Sequence, residues 1–134
     1  MSQQTIPLSS DARERLLLAI AETVDPERIA EVHFFPPIRQ GTLETGVAVV
    51  AALPTNPERT RHVVYTARYR WTRKGPERGK WDSEVIAEAD APLVTVEVVV
   101  QGVQQRYNDE VQPDRITGDE ARARITDARC RITP

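Results

Sequence analysis

The chain has 134 residues, 40% hydrophobic and 28% charged, with a formal net charge of −2. This is the size and balance of one ordinary globular domain, which sets aside disordered, fibrous and collagen-like classes. No strictly apolar run exceeds Val47 to Leu53, too short to span a bilayer, and Met1 to Ser10 lacks the basic start and apolar stretch of a secretory signal, so a soluble, cytoplasmic protein is expected.

In chain order the first element is a helix. Ser10 or Asp11 can cap it, Glu14 follows Asp11 by three residues, and Leu17, Ile20, Ala21 and Val24 recur on one face. It ends before Pro26, where Asp25-Pro26-Glu27 can open a short turn. Ile29 to Phe35 then reads as a strand with Ala30, Val32 and Phe34 on one face, stopped by Pro36-Pro37. The run Thr45 to Leu53 is apolar on both alternating sets, as a central strand covered on both faces would be.

From Arg61 to Trp71 the alternation is clean. Val63, Tyr65, Ala67, Tyr69 and Trp71 share one face, while His62, Val64, Thr66, Arg68 and Arg70 share the other. After Lys74-Gly-Pro-Glu-Arg-Gly79 a second strand begins at Trp81, so the pair predicts a hairpin. One register places Trp71 opposite Trp81, Arg70 opposite Asp82 and Arg68 opposite Glu84. Aromatic and opposite-charge pairs each favour that register by about 0.2–1 kcal/mol.

This hairpin also carries the chain's charge asymmetry. Residues 59–80 hold eight basic side chains and one acidic one, whereas the other 112 positions hold ten basic and nineteen acidic. One element therefore presents a positive surface inside a nearly neutral protein, which bears on partners more than on fold.

Residues 90–108 fit two templates. Val94, Val96, Val98 and Val100 alternate as in a strand, yet Leu93, Val96, Val100, Val103 and Tyr107 lie on one helical stripe that Asp90 could cap with Pro92 in the first turn. The helix is preferred because Gln104-Gln105-Arg106 continues it without a break. Beyond Pro113 the chain is polar and Arg-rich. Thr117 and Glu120 form a capping box, and Ala121, Ile125, Ala128 and Ile132 make a narrow stripe that needs a surface to dock on. Alternating strands are the rival reading of that tail. The expected fold is thus α+β: an N-terminal helix, a four-stranded antiparallel meander, a second helix and a polar C-terminal arm, with residues 1–110 as the domain and 111–134 as the arm.

Catalytic signatures are missing from the sequence. His33 and His62 sit on different predicted strands without metal-ligand spacing, Cys130 is the lone cysteine, and the glycines never form a phosphate-binding loop. No metal, cofactor or catalytic residue is therefore expected. Asp82, Glu84 and Glu88 share a strand face as an acid/base pair would, but arginines oppose two of them, which points to an ion-paired ladder.

The expectation for function is a non-catalytic interaction or scaffold module, self-associating, in which the basic hairpin engages an acidic protein surface. Its partner-binding residues would be Arg59, Arg61, Arg73, Lys74, Arg78 and Lys80. The alternative is a nucleic-acid-binding module using the hairpin tip, since basic residues there interleave with Tyr65, Tyr69, Trp71 and Trp81. A small enzyme seeded at His33, His62 and Glu84 comes third.

Overall fold

A computed structural model describes residues 4–56, 58, 61–72, 79–88, 95–107 and 110–132. Its elements are β1 (Gln4–Thr5), α1 (Ser10–Thr23), a short 3-10 turn (Pro26–Arg28), β2 (Ile29–Phe34), β3 (Ile38–Gln40), β4 (Leu43–Ala52), β5 (Val63–Thr72), β6 (Lys80–Ala87), α2 (Val96–Gln105), β7 (Asp114–Thr117) and α3 (Gly118–Ile132). The α+β class is as expected, but among the described residues the sheet has seven antiparallel strands where a four-stranded meander is expected from the sequence. The predicted runs correspond to β2, β4, β5 and β6. The other three strands are two to four residues long, too short to show a periodicity of their own.

The long strand β4 organises the sheet. Along one edge it pairs with β5 over its whole length, from Leu43↔Thr72 to Ala52↔Val63. Along the other it pairs first with β3 and then with β2, because Pro36-Pro37 interrupts that path without diverting it. Phe35 N still donates to Val47 O at 3.1 Å across the break. Beyond these, β1 pairs with β3, β7 with β2, and β6 with β5.

The two-sided apolar character of β4 is realised in two cores. Ala48, Val50 and Ala52 join Leu16, Leu17, Ile20, Ile29, Val32 and Phe34 beneath α1 and α3, while Val49 and Ala51 join Phe35, Val64, Val96 and Val103 beneath α2 on the opposite face. Each large side chain fully buried in this way stabilises the fold by about 1.5–3 kcal/mol. The bulge in the β2–β4 register between Ile29 and Glu31 turns Ala30 toward the α2 side, away from Val32 and Phe34 with which alternation had grouped it.

Local signals shift by small amounts. Ser9, not Ser10 or Asp11, caps α1, its hydroxyl accepting from Ala12 N at 3.1 Å. Asp25 Oδ1 accepts from Glu27 N at 3.0 Å and starts the 3-10 turn. Within the ambiguous valine-rich stretch the described part is helical, capped by Thr95, with Val96 and Val103 buried. Asp90 and Pro92, the expected start of that helix, lie outside the described residues. Thr117 Oγ1 accepts from Glu120 N at 3.2 Å, the expected half of the capping box.

The Arg-rich C-terminal segment finds its docking surface. Ile116 of β7 and Ala121, Ile125 and Ala128 of α3 are buried, α3 lying on β2 beside α1. Gly118 permits that approach, since a Cβ there would come within 2.1 Å of Ile29 O. Arg122 Nη1 then donates to Ile29 O at 3.0 Å and to Pro26 O at 3.2 Å.

Candidate functional site

The hairpin register is the predicted one: Trp71↔Trp81, Arg70↔Asp82 and Arg68↔Glu84 are direct partners. Its two faces differ completely in environment. Tyr69 and Trp71 are buried in the α1 core, with Tyr65, Trp81 and Val85 packed against it. The Tyr69 and Trp81 rings stack at 4.5 Å, Trp71 meets Trp81 edge-on at 5.3 Å, and the Arg15 guanidinium of α1 lies 4.8 Å above the Trp71 ring. Most of the hairpin's aromatic surface is therefore turned inward.

Among the described residues, α2 covers only part of the opposite face of the sheet, and the part it leaves forms an open cleft of about 560 Å³. Its floor is Ile38, Thr45, Gly46 and Val47 of β3 and β4. One side is Arg68 and Arg70 of β5, with Asp82, Ser83 and Glu84 of β6 beyond; the other is Arg106 and Tyr107 at the C-terminal end of α2. Tyr107 anchors that second wall: its ring stacks on Phe35 at 5.9 Å and its hydroxyl donates to Pro36 O at 3.0 Å. Burial raises the Tyr107 pKa above its ordinary value although Arg106 acts to lower it, so the phenol remains a neutral donor.

Strand order converts these residues into charge stripes. The outermost strand, β6, carries carboxylates, β5 carries guanidiniums, β4 offers a neutral floor, and Arg106 stands on the far side. With strands about 4.8 Å apart, Asp82 and Glu84 belong to a strand roughly 10 Å from β4 and Arg68 and Arg70 to the strand between. The expected ladder of ion pairs does not close, because among the described residues neither Arg70 and Asp82 nor Arg68 and Glu84 form a salt bridge, and all four side chains are exposed.

Of the partner-binding residues read from the sequence, Lys80 begins β6 opposite Thr72 and Arg61 precedes β5, both exposed. Arg59, Arg73, Lys74 and Arg78 lie outside the described residues. Gly79, left-handed at φ 81°, donates to Thr72 O at 2.8 Å at the turn end of the hairpin. Arg68 and Arg70 were legible only as ladder partners. Arg106 carried no local signal, since tertiary packing of α2 brings it to the cleft.

The histidines do not converge. His33 Nε2 lies 3.2 Å from Glu31 Oε1, and Arg115 Nε donates to Glu31 Oε2 at 2.6 Å, whereas His62 is exposed just before β5. Glu84 is three strands away from His33, so the three enzyme seeds stay apart. Among the described residues no group of three or more His, Cys, Asp or Glu side chains could hold a metal ion, and no helix is long and apolar enough to cross a membrane. Against known proteins, no family model, no curated protein and no solved structure matches the chain.

Proposed function

We propose that this chain is a protein-interaction module whose basic hairpin engages an acidic segment of a partner. The observation that carries the reading is the outer face of β5. Arg68 and Arg70 are exposed beside a cleft, outside any salt bridge with the carboxylates that face them, and a third arginine, Arg106, stands across the floor. Guanidiniums so placed suit carboxylates, which they bind through paired, charge-assisted hydrogen bonds.

Nucleic-acid binding by base stacking has less support, because the aromatics that would stack are packed toward α1. Self-association, the partner suggested by the acidic remainder of the chain, is the second reading. It is favoured less because a cleft with two walls takes a segment more readily than a second folded face.

Fluorescence anisotropy with labelled polyglutamate and a labelled mixed-sequence oligonucleotide separates these readings. Polyglutamate should bind the wild type at low salt, weaken as salt rises, and lose affinity for the Arg68→Glu/Arg70→Glu variant. Binding of the oligonucleotide alone would contradict the proposal.

A further inference from the structure

The cleft is apolar underfoot and has arginines at both of its sides. Val47 and Ile38 of the floor are only half-buried, and Tyr107 closes the α2 end. We infer that the occupant is a short segment of a partner protein in which one apolar side chain is flanked in sequence by carboxylates. The apolar group would sit on Val47 and Ile38, and its acidic neighbours would reach Arg68 and Arg70 on one side and Arg106 on the other. This narrows the interaction reading above and rests on it.

Three features select that ligand. The cleft volume lies in the range that buries a few side chains and is far too small for a globular surface. The arginines of the two walls come from different elements, so a ligand with acids on only one side of its apolar residue reaches only one set of them. Outside the β5 arginines the acidic stripe of Asp82 and Glu84 repels any polyanion broad enough to cover the hairpin, while leaving the β4 floor accessible to a single extended segment.

The test uses the full chain and three labelled peptides: a central Phe flanked on both sides by Glu, the same peptide with Ser in place of Phe, and the same with Lys in place of every Glu. The first should bind, the Ser peptide about tenfold more weakly, and the Lys peptide not at all. Arg106→Glu should weaken the first peptide by about tenfold or more, and Arg106→Lys should restore part of the loss. Arg106 is exposed, so both variants should keep the far-UV circular dichroism of the wild type. Equal affinity for the Phe and Ser peptides together with a silent Arg106→Glu would overturn the inference while leaving the basic-hairpin reading intact. Failure of every acidic peptide to bind would overturn both, and so would an oligonucleotide that outcompetes them.

Discussion

The Tyr69 hydroxyl donates to Glu44 Oε2 at 2.7 Å, and the phenol ring reaches it by lying over Gly46 on the neighbouring strand. A Cβ at position 46 would stand 2.1 Å from Tyr69 Cε1. The glycine in the middle of β4 is thus a consequence of close ring-on-backbone packing. Gly46→Ala should destabilise the fold by about 1–3 kcal/mol through overpacking, and Tyr69→Phe by about 1.5–3 kcal/mol through loss of a hydrogen bond to a carboxylate. Urea unfolding of each variant checks both, and a Gly46→Ala variant as stable as wild type would show that the ring moves aside freely.

The tryptophan pair makes an asymmetric prediction. Trp71 is 6% exposed, whereas Trp81 is only partly buried. Trp71→Ala should therefore cost about 3–5 kcal/mol and Trp81→Ala less. Iodide should quench the Trp81 indole more readily than that of Trp71, and two equally quenched indoles would contradict this difference in burial.

Acid stability should depend on Glu31. Burial alone would raise its pKa, but the hydrogen bond from Arg115 and the contact with His33 outweigh burial and hold it below the ordinary carboxylate value. A folded-state pKa below the unfolded one contributes stability that is present above the unfolded pKa and is lost as pH falls through the folded value. Arg115→Gln should remove part of this contribution, His33 keeping the rest. The variant should be less stable than wild type near neutral pH, with the difference shrinking in acid. A stability gap independent of pH would mean that Arg115 acts through packing alone.

Much of the sheet was legible because its chemistry repeats across strands. Trp opposite Trp and two Arg–carboxylate pairs specify one hairpin register, and the doubly apolar Val47–Ala52 run specifies a strand with cover on both faces. What stayed hidden depends on contacts distant in sequence. The bulge at Ala30 leaves no trace in hydrophobic alternation, β1 and β7 exist only through the partners they pair with, and the Ser9 and Thr95 caps compete with equally good neighbouring residues. The cleft was hidden for the same reason. Its arginines looked like members of a closed ladder, and Arg106 becomes a wall only when Tyr107 stacks on Phe35, far from it in sequence.

Oligomeric state separates the two partner readings. If the cleft takes a segment of another protein, the free chain should remain monomeric by light scattering at low salt. An oligomer that loosens as salt rises and is abolished by Arg68→Glu/Arg70→Glu would instead identify a second copy as the occupant.

The most direct test of the cleft as the interaction site is a ¹⁵N NMR titration of the full chain with an acidic peptide containing one central Phe. The largest shifts should fall on the amides of Thr45, Gly46 and Val47 and on the guanidinium signals of Arg68, Arg70 and Arg106, and added salt should reverse them. Shifts confined to α1, α3 or the turn end of the hairpin at Gly79 and Lys80, with the β4 floor unmoved, would contradict the cleft as the site.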